Sequence, residues 1–174
     1  MNPQHVVPTI DDDGFILWES RVINSYLVTK FGCNSTLIPA DLKVQATMER
    51  LLHFDIGTLY PSMINYYRPQ LLHGKLPDPV HGAELERCLG LLDIFLRDKE
   101  YVAGTSNRTL ADLSLLASVT QLEGYDYSYN QHRNVTCWAN RLKQELPYYH
   151  EVSDEGIERS RAWAKQVLKA LKCK

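Results

Sequence analysis

Short runs rich in β-branched and aromatic residues occur close together only near the start of the chain. They are VVPTI at residues 6–10 and FILW at residues 15–18, and DDDG lies between them. Two such runs flanking Asp13-Gly14 predict a hairpin whose turn needs positive φ at both central residues. Pro8 sits inside the first run, and proline removes a ladder donor. It therefore belongs at a strand edge, at a bulge, or where something other than a neighbouring strand meets the backbone. From Glu19-Ser20 onward the apolar period changes to that of a helix, with Val22, Ile23, Tyr26, Leu27 and Phe31 on one face and Gly32 as the stop.

After CNSTLIPAD the pattern is helical throughout. One long segment from Asp41 places Val44, Met48, Leu51, Leu52, Ile56, Leu59, Tyr60, Met63, Ile64 and Tyr67 at helical spacing, with Pro61 expected to kink it. HGKLPDPVHG, residues 73–82, reads as a linker. Helices follow around 85–96, from Leu110, around 135–145 and around 155–171, the last with Ile157, Ala164, Val167, Leu168 and Leu171 as its stripe. Thr109 and Asp112 have capping-box spacing ahead of the apolar run Leu110, Leu113, Leu116 and Ala117.

The organisation is thus ββα and then about five helices. This is an α+β chain, mostly helical, divided into residues 1–35 and 41–174. A two-stranded hairpin is marginal alone, so an upstream segment or another chain has to complete the sheet.

Composition narrows the partners. Nineteen Lys and Arg against 21 Asp and Glu give a formal charge of −2, which offers no broad surface for nucleic acid. No run is long and apolar enough to span a bilayer, and the start does not read as a secretory signal, so a cytoplasmic protein is expected. The sequons at Asn34, Asn107 and Asn134 then carry no weight. Cys33, Cys88, Cys137 and Cys173 are far apart and the six histidines are scattered, so no metal site is legible and the cysteines read as free thiols.

The chemistry concentrates in the ββα part. If the Val7-Pro8 bond is cis, the Val7 amide and carbonyl turn outward and can pair with an extended peptide. Ser20 stands where free helix N–H groups favour a carboxylate, and Glu19 can accept from an ammonium. Arg21 and His5 add donors for a second carboxylate. Taken singly, each has a plain structural reading: Ser20 as a helix cap, Glu19 as a surface carboxylate, Arg21 and His5 as solvated side chains. Together they fit a ligand with one amino group, two carboxylates and an extended backbone, a shape that glutathione has.

At these residues the sequence resembles the glutathione S-transferases, and most closely the insect delta class. The resemblance rests on Asn2, Pro3, Gln4, His5, Pro8, Thr9, Asp13, Gly14, Phe15, Leu17, Trp18, Glu19, Ser20, Arg21, Ile23, Tyr26, Leu27, Lys30 and Gly32, and continues through TLYPSMINYYRPQL and YVAGTSNRTLADLSLLA. It implies part of a thioredoxin-like domain joined to an all-helical domain, a homodimer, and conjugation of glutathione, as co-substrate, to hydrophobic electrophiles in detoxification. Carried over by position, His5 approaches the glycyl end and Val7 pairs with the cysteinyl backbone before a cis Pro8. Glu19, Ser20 and Arg21 hold the γ-glutamyl end. Tyr60, Met63 and Tyr67 face the electrophile, while an ordinary core role is the plain alternative for all three.

Family members also carry an earlier strand-helix-strand segment whose serine donates to the glutathione thiolate, and this chain begins after it. No catalytic residue is therefore assigned within it. A binding protein or scaffold of the same fold is the alternative to a transferase. Pro61, Arg68 and Arg108 depart from the family pattern.

Overall fold

The computed structural model describes residues 2–32 and 36–172, with side chains to residue 170. Cys33, the Asn34 sequon, Cys173 and the side chain of Leu171 lie outside the described residues. The hairpin is built from β1 (Thr9–Asp12) and β2 (Phe15–Trp18), antiparallel, in register from Thr9 opposite Trp18 to Asp12 opposite Phe15. Asp13 and Gly14 have φ of 52° and 89°, the geometry that a two-residue turn of this hand requires. Asp11 Oδ1 accepts from the Gly14 amide at 2.8 Å and holds the turn.

Pro8 lies just ahead of β1 rather than inside it, because Val6 and Val7 belong to a loop folded around Asn2. The Asn2 amide donates to the Val6 carbonyl at 3.0 Å and to Thr9 Oγ1 at 2.9 Å, and its Oδ1 accepts from the Gln4 amide. Side-chain bonds have replaced the ladder that a longer strand would have made.

Helix α1 (Ser20–Phe31) follows β2 and ends at Gly32 with φ −86°, so this glycine stops the helix without using the left-handed region. Of its predicted apolar face only Ile23 is buried, while Val22, Leu27 and Phe31 are exposed. Two short strands offer too little surface to cover them.

The predicted long helix consists of α2 (Leu42–Phe54) and α3 (Tyr60–His73), joined by a π-helical turn at Asp55–Leu59. Asp41 caps α2, accepting from the Lys43 and Val44 amides. The wide turn ends at Pro61, which has no N–H to return to the preceding turn and whose ring excludes the carbonyl four residues back. Tyr60 instead donates to the Asp55 carbonyl, five residues back.

Helix α4 (Pro79–Phe95) begins inside the predicted linker: Asp78 accepts from the Val80 amide at 2.8 Å and Pro79 takes a first-turn position that needs no donor. Helices α5 (Leu110–Gln121), α6 (Arg133–Glu145) and α7 (Glu155–Lys172) complete the bundle.

Helix α5 runs through the middle of this bundle. Around it gather Leu51, Leu59, Met63, Leu89, Leu92, Val102, Trp138 and Leu142, all buried. At its start Asp112 is fully buried. Its carboxylate accepts from the Thr109 amide at 2.8 Å, the Thr109 hydroxyl at 2.9 Å, the Val102 amide at 2.9 Å and Trp138 Nε1 at 3.0 Å. Among the described residues no helix is long and apolar enough to cross a membrane.

Candidate functional site

The loop ahead of β1 and the start of α1 face the π turn, the start of α3 and α5 across a cleft of ≈ 380 Å³. One wall is the Val6-Val7-Pro8 loop with Glu19, Ser20 and Arg21. The other is Ile56, Tyr60, Ala117, Ser118 and Gln121. The Val7-Pro8 bond is cis, and Val7 is 93% exposed, so its backbone is open to a ligand.

Glu19, the residue just before α1, has φ 73° and ψ 103°, a region that costs a non-glycine residue about 1–3 kcal/mol. The strain lies where strand β2 must turn abruptly into the helix. Its effect is to bring Ser20 and the free first-turn amides of α1 to the cleft. Ser20 is the first helical residue and Glu19 holds the cap position with no side-chain cap bond. The hydroxyl of Ser20 is therefore not used to cap the helix.

Arg21 is tied from behind. Its Nε and Nη2 donate to Asp55 Oδ2 at 3.1 and 2.5 Å, while Nη1 donates to Ser20 Oγ at 2.9 Å. Asp55 is itself fully buried, on the π turn, and accepts from Ser114 Oγ at 2.5 Å and Ser118 Oγ at 2.6 Å. A buried carboxylate needs such donors, and here the two serine hydroxyls and the guanidinium supply them. The chain Asp55, Arg21, Ser20 thus links α5 to the start of α1. With its fork occupied by protein groups, Arg21 orients Ser20 instead of offering that fork to a second carboxylate.

The structure does not bring all of the sequence-derived candidates together. His5 is exposed in the loop and does not line the cleft. Tyr60 lines it, its ring 5.8 Å from the Arg21 guanidinium. Met63 is buried in the core, and Tyr67 stacks on Tyr125 at 4.4 Å beside Leu71 and Ala164. Burial holds the Tyr67 hydroxyl far above the usual phenol range, with Tyr66 and Tyr127 adding to the effect. Three and seven residues beyond Tyr60, both share its face of α3, but one and two turns further along, where the core covers that face.

Asp55, Ser114 and Ser118 escaped the sequence reading. A signal existed: LLHFDIGTLY carries a carboxylate inside an apolar stripe, and LADLSLLASVTQ repeats serine four residues apart on an otherwise apolar helix. Polar residues at buried helical spacing announce a shared partner.

Comparison with known proteins follows the same lines. No family model matches the chain. It is similar to glutathione S-transferase D7 of Anopheles gambiae, 37% identical over 160 residues, covering 91% of this chain and 73% of that protein. It is also similar to a solved Bombyx mori glutathione transferase (TM-score 0.89, 36% identity, 93% of this chain and 76% of that one). A Nilaparvata lugens delta-class glutathione transferase is comparable (TM-score 0.88, 38% identity, 98% and 78%).

Proposed function

The chain belongs to the glutathione S-transferase family and is delta-like, and from this we propose that it binds glutathione in the cleft and conjugates it to small hydrophobic electrophiles in detoxification. One observation carries the reading: an open peptide backbone at Val7 and a helix start at Glu19-Ser20 face the same recess as Ile56 and Tyr60. In this reading the γ-glutamyl carboxylate docks on the Ser20 hydroxyl and the free amides of α1, and Glu19 accepts from the ammonium. The Val7 backbone pairs with the cysteinyl residue beside Pro8, and His5 lies toward the glycyl end. Because Ser20 Oγ accepts from Arg21, its own proton is free for the ligand and polarised by the charge behind it.

Tyr60 and Ile56 offer the apolar wall for the electrophile, whereas Met63 and Tyr67 act through the core behind them. Residues 1–35 contribute the glutathione side and residues 41–174 the electrophile side. The protein works as a cytoplasmic homodimer. The apolar recess lined by exposed Val22 and Ile56 over buried Leu52, beside Glu49 and His53, supports the pairing.

A second reading, binding with little turnover, has its own support. Among the described residues that line the cleft, hydroxyls are borne by Ser20, Tyr60 and Ser118; Ser118 donates to Asp55, and Ser20 stands at the carboxylate end. A donor to the thiolate lowers its pKa, each unit representing about 1.4 kcal/mol. Retention on immobilised glutathione together with conjugation of an aryl halide supports the transferase reading. Retention alone supports the binding protein, and neither overturns both.

Ser20→Ala is expected to weaken glutathione binding roughly tenfold or more by calorimetry, the lower end of the value of one hydrogen bond to a charged group. Far-UV dichroism should stay unchanged, since Ser20 makes no cap bond. Equal affinity in the variant would remove Ser20 from the site.

A further inference from the structure

Asn2 is only 7% exposed, although it stands at the head of a surface loop. Its Nδ2 donates to the Val6 carbonyl at 3.0 Å and to Thr9 Oγ1 at 2.9 Å, and its Oδ1 accepts from the Gln4 amide at 2.8 Å. Thr9 Oγ1 in turn donates to the same Val6 carbonyl at 2.8 Å. Trp18, opposite Thr9 in the hairpin register, donates from Nε1 to Gln4 Oε1 at 2.5 Å. These contacts close a ring through Asn2, Thr9, Trp18 and Gln4, and they fasten the loop to both strands of the hairpin.

Two side-chain donors thus converge on one carbonyl. Its orientation fixes that of the next group, because the Val6 C=O and the Val7 N–H belong to one planar trans peptide unit and point in opposite directions. With the carbonyl held toward Asn2 and Thr9, the Val7 N–H is directed away from them. Val7 lines the cleft, and among the described residues neither its amide nor its carbonyl has a hydrogen-bond partner. Asn2 and Thr9 themselves do not line the cleft.

Resting on the reading of this cleft as the glutathione site, we propose that Asn2 and Thr9 are positioning residues: through the Val6 carbonyl they aim the Val7 N–H at the cysteinyl carbonyl of glutathione. Neither touches the ligand. Their effect is preorganisation, since a loop free to rotate the Val6-Val7 peptide has to be ordered at the moment of binding, and that ordering subtracts from affinity. The two residues act on one carbonyl, so loss of either donor loosens the same peptide unit.

The test measures, by calorimetry on the full chain, the affinities of S-methylglutathione and of its analogue with an ester in place of the cysteinyl–glycyl amide. An ester carbonyl is the poorer acceptor, so the parent is expected to bind the amide compound about threefold to tenfold tighter, the value of one neutral hydrogen bond. Thr9→Val keeps the branched shape and removes the donor. It should weaken S-methylglutathione about threefold or more and bring the amide-to-ester ratio toward one, because a misdirected N–H no longer distinguishes the two carbonyls. Thr9→Ser, which restores the hydroxyl, should return both values to those of the parent. Asn2→Asp removes both amide protons while keeping an acceptor for the Gln4 amide, and it should reproduce Thr9→Val. Thermal unfolding reports that each variant is folded, and either variant suffices.

Unchanged affinity in the folded variants overturns the proposal. So does weaker binding with the amide-to-ester ratio of the parent, which would make Asn2 and Thr9 supports of the loop alone, and so does a ratio of one in the parent, which would show that the Val7 N–H meets no ligand carbonyl. All three leave the glutathione site standing. Failure of S-methylglutathione to bind the parent overturns the glutathione site, and the positioning role with it.

Discussion

Replacing Asp112 with alanine is expected to lower the melting midpoint by roughly 10 °C, equivalent to about 4 kcal/mol for a chain of this size. Capping-box spacing alone suggests an effect near 1 kcal/mol. The larger figure comes from the buried setting. Four donors converge on the carboxylate, from the Thr109 amide and hydroxyl, the Val102 amide and Trp138 Nε1, and all lie in the interior. Alanine leaves them without an acceptor. Each orphaned buried donor costs about 1–3 kcal/mol, and the effects of one network do not add fully, because the site can relax and admit water.

Trp138 is nearly fully buried against α5 and Val102 entirely so, which makes relaxation difficult. The loss therefore reaches beyond the helix start to the packing of α6. Thermal and urea unfolding of the variant measure it directly. A decrease no larger than 1 kcal/mol would mean that Asp112 is an ordinary cap.

Asp55→Ala should destabilise the protein by about 3 kcal/mol and weaken glutathione binding roughly tenfold. Removing one partner of a buried ion pair leaves the other charge uncompensated, a loss of about 3–5 kcal/mol when both are fully buried. Here Asp55 is fully buried while the Arg21 side chain is 22% exposed, so water recovers part of the guanidinium and the lower end applies. The Ser114 and Ser118 hydroxyls lose their acceptor as well.

Binding falls by a separate route. Arg21 released from Asp55 no longer holds Ser20 Oγ, and the hydroxyl proposed for the ligand carboxylate loses its orientation. Arg21→Lys is the informative companion, since an ammonium is a point charge that cannot bridge Asp55 and Ser20 as a planar fork does. It should retain more stability than Asp55→Ala while losing comparable affinity. Stability of Asp55→Ala within 1 kcal/mol of the parent would show that the pair is not structural, and full affinity would detach Ser20 from it.

The places where pattern and structure part company share one cause. Pro8 reads as a strand residue until Asn2 is seen to gather the loop ahead of it. Val22, Leu27 and Phe31 form a helical stripe with little to cover them, because periodicity records an amphipathic face but not the size of its neighbour. Tyr60, Met63 and Tyr67 fall on one apolar stripe, yet only the first reaches the cleft. The wide turn at Asp55–Leu59 and the packing of α5 determine which of them the core covers.

By itself the sequence determined the local decisions: the hairpin turn at Asp13-Gly14, the start of α1 at Glu19-Ser20, the Thr109 and Asp112 spacing and the helical period of the rest. Each depends on backbone preferences and side chains a few residues apart, which is the range over which sequence pattern carries physical information. Only the tertiary structure decided that Asp55, Arg21, Ser114 and Ser118 meet, and that Ser20 stands at their outer end. Those contacts join groups 34 to 63 residues apart for Asp55 alone, and their energies arise from burial and shared partners, which exist only once distant elements have packed.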